Sequence, residues 1–149
     1  MRAVVQRVSS ASVSVGGETI ASIDSGLLVL AAIGKGDSQQ QVDYIANKLC
    51  ELRIFEDDAG KMNLNVRQVA GAILLVSQFT LFGDARKGNR PSFDAAELPE
   101  AAQLLFNSLA STIQRLGTPV ATGKFRAHMQ VQLVNEGPIT ILIDSGKLF

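Results

Sequence analysis

Cysteine and histidine are almost missing from this chain: Cys50 and His128 stand alone, and there is no tryptophan. A lone cysteine excludes an internal disulfide and a multi-cysteine metal site. With no His-x-x-x-His and no Cys-x-x-Cys, a zinc site lacks its usual donors. No metal and no cofactor are therefore expected. Net charge is missing as well, since 14 basic residues balance 14 acidic ones. No global field draws such a chain to nucleic acid, and any RNA contact needs a local patch. No apolar run approaches the ~18 residues of a membrane span. The opening M-R-A-V-V-Q-R-V lacks the basic, long apolar and small-residue order of a signal peptide. The expectation is a cytoplasmic protein with no membrane contact. The phosphate loop G-x-x-x-x-G-K-[ST] and the nucleophile elbow G-x-S-x-G are also absent.

What is present suits one globular domain. The 149 residues are 46% hydrophobic and 19% charged, enough to bury roughly 68–70% of the unfolded surface. Residues 2–15 alternate and read as a strand; G-G-E turns into a second strand, T-I-A-S-I-D. The unbroken apolar run L-L-V-L-A-A-I-G, 27–34, reads as a buried strand. Asp37 or Ser38 caps a helix whose apolar stripe is Val42, Ile45, Ala46, Leu49 and Leu52 or Arg53. Cys50 lies beside that stripe as a buried structural thiol. A-I-L-L-V-S-Q-F, 72–79, is another buried strand, and a polar loop follows it. Pro99 opens a second helix with an apolar face of Leu104, Leu105, Leu109, Ile113 and Leu116, ended by Gly117. P-V-A-T-G follows, then strands at 125–134 and 139–144 meet at the turn N-E-G-P. The sum is α+β, a single domain. Its sheet is expected to be mostly antiparallel and barrel-like, with two helices packed against it.

The chemistry is sparse. On 125–134, Phe125, Ala127, Met129, Val131 and Leu133 share one face. His128 lies on the other with Arg126, Gln130 and Gln132, as a solvated histidine rather than a general base. Ser77, Gln78 and Thr80 break the apolar pattern where 72–79 meets its loop. They mark either a strand reaching solvent or a pocket rim, where exposed backbone N–H groups can hold an oxyanion. Thr80 as a nucleophile would need a base, and none lies near it in sequence. R-K-G-N-R-P, 86–91, is either a phosphate-binding patch or a solvated loop. Gly137-Pro138 is a stiff, donor-less pair with little side chain at the tip of a sheet, where Asn-Gly would be ordinary.

Q-R-V at 6–8, K-M-N-L-N-V at 61–66, S-Q-F-T-L at 77–81, R-P-S-F at 90–93 and N-E-G-P-I-T at 135–140 occur in this order. Together they closely resemble the D-aminoacyl-tRNA deacylases of the bacterial and eukaryotic type, from Met1 to about residue 143. The final S-G-K-L-F is similar to a variable tail. The resemblance implies a homodimer with active sites at its interface. It implies hydrolysis of the ester between a D-amino acid and the 3′ end of tRNA. It further implies that Ser77, Gln78, Phe79 and Thr80 line the pocket, with Phe79 and Thr80 at the reacting centre. Gly137 and Pro138 would be a Gly-cisPro pair that enters the other subunit's site, braced by Arg7. A cis bond is not expected from sequence alone, since only roughly 5–6% of X-Pro bonds adopt it. Phe79, Phe125 or Met129 would support the terminal adenosine. Arg86, Lys87, Arg90, Lys124 and Arg126 would meet phosphates of the acceptor stem. The alternative is a non-catalytic dimeric RNA-binding module of the same fold.

Overall fold

The computed structural model describes every residue from Met1 to Phe149. Its elements are β1 (Arg2–Val15), β2 (Glu18–Ile23), β3 (Gly26–Ala32), α1 (Gln39–Glu51), β4 (Phe55–Glu56), β5 (Met62–Leu64), β6 (Ala72–Ser77), a 3-10 turn (Phe79–Phe82), α2 (Pro99–Arg115), β7 (Val120–Thr122) and β8 (Gln130–Asp144). No helix is long and apolar enough to cross a membrane.

One long strand organises the sheet. The first half of β1 pairs antiparallel with β3, its second half with β2, and its other edge with β8 along nearly its whole length. β2 also approaches β6 and β7, so the sheet curls toward a barrel.

The expectation of mostly antiparallel pairing needs one refinement: β3–β6 and β6–β7 are parallel. The reason is topological. A helix stands between β3 and β6 and another between β6 and β7, and a helical crossover returns the chain in its starting direction. It also explains the apolar runs, because parallel strands are commonly covered on both faces. Leu27, Val29, Ala31, Ile73 and Leu75 join the core beneath the helices. Leu28, Leu74 and Val76 join a second core inside the curl, with Val8, Ala11 and Val13.

Local chemistry sets the helix ends. Ser38, not Asp37, caps α1: its hydroxyl accepts from Gln40 N at 3.3 Å, and Gln41 Oε1 accepts from Ser38 N at 2.9 Å. This reciprocal box satisfies donors that have no acceptor inside the helix. Asp37 instead holds Gly34 N at 2.6 Å. Pro99 opens α2, and Gly117, at φ +89°, follows its last turn. The expected α2 face is wrong at Leu104, which is 71% exposed. The buried residues are Ala102, Phe106, Leu109, Thr112 and Ile113. From Ala102 through Phe106 and Leu109 to Ile113 the spacings are four, three and four, which turns the stripe away from Leu104, and Phe106 takes its place. Cys50 is buried as expected; Thr118 Oγ1 donates to its sulfur at 3.4 Å, and burial pushes the thiol pKa up.

The β3–β6 contact depends on a glycine. A Cβ on Gly26 would stand 1.9 Å from the Ala72 carbonyl oxygen. Gly26→Ala should therefore force the strands apart and cost about 1–3 kcal/mol. The expected readout is a thermal midpoint lower by roughly 3–10 °C; an unchanged midpoint would refute the close approach.

Candidate active site

The apolar strand β6 ends at Ser77, not at Phe79 as the residue pattern suggests. Gln78 N donates to Ala31 O at 2.8 Å, after which the chain turns into the 3-10 segment Phe79–Phe82. The first N–H groups of any helix have no acceptor within it, and no side chain caps this one. The Gln78 amide donates to Thr80 Oγ1. Thr80 is exposed, and that amide is the only side chain bonded to its hydroxyl.

Phe79 is 58% exposed, yet its ring meets Phe93 edge-on at 5.1 Å. Phe93 reaches it because Asp84 and Ser92 exchange backbone hydrogen bonds at 2.8 and 2.9 Å, folding 84–92 into a closed loop. The motifs S-Q-F-T-L and R-P-S-F therefore meet at these two rings.

Beside them lies a cavity of about 580 Å³. Its floor is Ala31, Ala32, Ile33 and Val76; its walls come from Ser77–Phe79, Phe93 and Ala96–Pro99 with Ala102, and the segment Phe125–Met129 with Val131. The floor lies at the carboxyl ends of the parallel strands β3 and β6, where open α/β sheets commonly bind ligands. The lining is mostly apolar, with Glu97, Arg126 and His128 as its ionisable members. No group of three or more His, Cys, Asp or Glu is placed to hold a metal.

The segment entering β8 departs from the expected strand 125–134. Phe125–Ala127 form a turn in which Ala127 N donates to Lys124 O at 3.2 Å, and regular pairing begins at Gln130. Arg126 sits there at φ +64°. His128 precedes the strand and is exposed, while Phe125, Ala127 and Met129 are half-buried. Phe125 packs on Phe106 of α2, ring centroids 5.8 Å apart, so it serves core and cavity together.

Ser77, Gln78, Phe79, Phe125 and Met129 thus share one cavity. Thr80, Arg7, Gly137 and Pro138 do not line it. The last three form a separate locus, and N-E-G-P is not the hairpin tip expected from its flanking strands. Asn135 pairs opposite Val8 and Thr140 opposite Gln6, so both flanks bond to the same strand and the chain does not reverse. Glu136–Ile139 bulge out of β8 opposite the single residue Arg7. The Gly137–Pro138 bond is cis, and both residues are exposed. Gly137 lies at φ +135°, and a Cβ there would come within 2.7 Å of Ile139 Cγ1.

Two side chains hold this bulge. Arg7 is 6% exposed; its Nε donates to Glu136 O at 3.0 Å and its Nη1 to Ile54 O at 2.8 Å. The Glu56 carboxylate stands 3.9 Å from Nη2. Asn135 closes the other side: its Nδ2 donates to Ile139 O at 3.0 Å, and its Oδ1 accepts from Ile139 N at 2.7 Å. The amide thus stands in for a missing rung of the ladder. Sequence reasoning passed over Asn135, Phe93 and Ala102. The first two lie inside motifs quoted above; nothing in the pattern marked Ala102. In the basic loop, Asp84 accepts from Arg86 Nε and Nη2 at 2.9 and 2.6 Å. The guanidinium holds the Asp84 carboxyl at a pKa of about 2, and the carboxylate raises that of Arg86.

The family described as D-Tyr-tRNA(Tyr) deacylase matches residues 4–144. The chain is 56% identical over 149 residues to a D-aminoacyl-tRNA deacylase of Anaeromyxobacter dehalogenans, covering all of both. It is 52% identical, with the same coverage, to one from Thermotoga petrophila. Among solved structures, it superposes on a c-Myc DNA unwinding element binding protein with TM-score 0.92 at 42% identity, over 97% of this chain and 98% of that one. A structure of a probable eukaryotic D-amino acid tRNA deacylase shares the fold, with TM-score 0.77 at 15% identity over 95% and 97% of the two chains. With the match spanning nearly its whole length, this chain belongs to the D-Tyr-tRNA(Tyr) deacylase family.

Proposed function

We propose that this chain is a D-aminoacyl-tRNA deacylase, hydrolysing the ester between a D-amino acid and the 3′ end of tRNA to release both. The family supports the reaction. The observation that carries the reading is a pair of features: an apolar cavity rimmed by Ser77, Gln78 and Phe79, and a bulge of bare main chain at Glu136–Pro138 that does not line it. A homodimer joins the two, the bulge of one protomer entering the cavity of its partner. β8 has a free edge, and Val134 and Leu142, both more than half exposed, flank the bulge on it. Such a surface suits burial against a second copy. A charged-tRNA substrate supports a cytoplasmic location.

The bulge supplies stereochemical control. Arg7 and Asn135 hold the main chain around Gly137 and Pro138 rigidly, with carbonyl oxygens to accept from the substrate ammonium. An L-aminoacyl side chain meets this wall, whereas a D side chain points away from it. Rejection rather than attraction then sets the preference.

The chemistry uses little side-chain machinery. The N–H groups of Phe79 and Thr80, at the uncapped start of the 3-10 turn, hold the developing oxyanion. A positioned water attacks, helped by the neighbouring ribose 2′-OH. Thr80 has no base to activate it: its hydroxyl oxygen accepts from the Gln78 side-chain nitrogen, and no carboxylate or imidazole is bonded to it. Phe79 and Met129 contact the terminal adenosine, and Phe125 supports them from the core.

Two measurements test this. Purified protein should release D-tyrosine from D-tyrosyl-tRNA and should also cleave glycyl-tRNA, because glycine has no side chain to be refused. Equal resistance of glycyl- and L-alanyl-tRNA contradicts the wall. Thr80→Ala should keep deacylation within about tenfold of the parent, less than the 10²–10³ lost with one oxyanion donor. Abolished turnover in a folded, tRNA-binding variant would instead favour a covalent route through Thr80.

A further inference from the structure

Most arginines of this chain are already occupied. Arg2 donates to Asp144 and to Leu81 O. Arg7 is buried on two carbonyls, and Arg67 is paired with Glu51. Arg53 donates to Asn63 O, Arg115 to Thr112, and Arg86 folds back on Asp84. Only Arg90 and Arg126 have no hydrogen-bond or ion-pair partner, and of these Arg126 alone lines the cavity.

Its placement is specific. Phe125 and Ala127 on either side are half-buried in the cavity wall, while Arg126 is exposed at its rim. The residue takes φ +64°, a conformation glycine adopts without cost and a side chain resists. The cavity's other ionisable members are Glu97 and His128. The Glu97 carboxylate accepts from Leu98 N at 2.7 Å and would repel an anion. Arg126 is therefore the only guanidinium or ammonium lining a cavity that is otherwise mostly apolar.

We infer that Arg126 binds the phosphodiester one nucleotide inward of the esterified adenosine, an inference that rests on the function proposed above. A nucleoside and its ester can enter an apolar cavity of about 580 Å³. The phosphate cannot leave water without a counter-charge, so it stays at the rim. A guanidinium free of internal partners can meet it with two parallel hydrogen bonds. Arg86 contributes less than its position in the basic loop suggests, because Asp84 already neutralises it. The terminal phosphate thereby sets how far the 3′ end inserts, and so aligns the ester with the Phe79–Thr80 backbone. Arg126 is a positioning residue in this scheme.

The test uses two small substrates, the D-tyrosyl ester of adenosine and that of the dinucleotide CpA, which adds one phosphodiester. Binding of adenosine and of uncharged CpA is measured alongside. The full-length protein should prefer the CpA forms by about 10- to 100-fold in kcat/KM and affinity. The preference should fall between about 50 and about 200 mM salt. Arg126→Gln should abolish it while leaving the adenosine ester within about twofold. Arg126→Gly should do the same without lowering the thermal midpoint, which separates the guanidinium from any need of the turn. Equal losses on both substrates, or an unchanged preference, would overturn the inference while leaving the deacylase reading intact. An Arg126-dependent CpA preference in binding, with no D-tyrosine released from D-tyrosyl-tRNA, would uphold the inference and sink the catalytic reading.

Discussion

Strand β1 is hydrogen-bonded along both edges, and that constraint fixes the position of the Gly137–Pro138 bulge. One edge carries β3 and then β2; the other carries β8. A strand gripped this way cannot slip, because a shift of one residue would turn its buried side chains outward. Arg7 lies in the middle of it. A buried guanidinium must find acceptors for its donors, and the Glu136 and Ile54 carbonyls supply them. The register of β1 therefore reaches the exposed Gly137–Pro138 segment through a single side chain. Asn135 secures the same segment from within β8. A bulge of exposed main chain is thus tied to the buried middle of the sheet.

The cavity has a different origin. It opens where the parallel strands β3 and β6 end, beyond Ala32 and Ser77, and its far wall is the start of α2. Two features of the chain keep it open. The 3-10 turn carries Phe79 sideways onto Phe93 instead of continuing the strand. The turn at Phe125–Ala127 delays β8 until Gln130, so Phe125 and Met129 line a space rather than pair. The two loci share no residue. In the function proposed above, one protomer would supply the cavity and its partner the obstacle.

Electrostatics is local throughout. A chain of zero net charge cannot draw RNA by its overall field. Its arginines are mostly committed to internal acceptors, several of them main-chain carbonyls. Asp84 shows the same economy in the basic loop, where its pairing with Arg86 leaves Lys87 and Arg90 to face solvent. Among the arginines, free charge is thereby confined to Arg90 and Arg126, and the second of these stands at the rim of the cavity.

Much of this was legible in the residues themselves. Ser38, Pro99 and Gly117 mark helix ends because caps are local chemistry, and the α1 stripe follows from a period of 3.6. The continuous apolar runs of β3 and β6 announce burial on both faces. Cys50 is inert because it sits beside that stripe. Four things depended on contacts between distant parts of the chain. The direction of β6 and β7 follows from helical crossovers, which alternation within a strand does not encode. Leu104 and Phe106 are both apolar, and only the face that α2 turns toward its neighbours, chiefly α1, chooses between them. The meeting of Phe79 with Phe93 requires the Asp84–Ser92 closure. Finally, N-E-G-P between two apolar runs reads as a hairpin. It is a bulge because both runs bond to β1, a partner more than a hundred residues away in sequence. Local sequence specifies which conformations a segment prefers; which neighbour satisfies its backbone donors and acceptors is settled only when the whole sheet assembles.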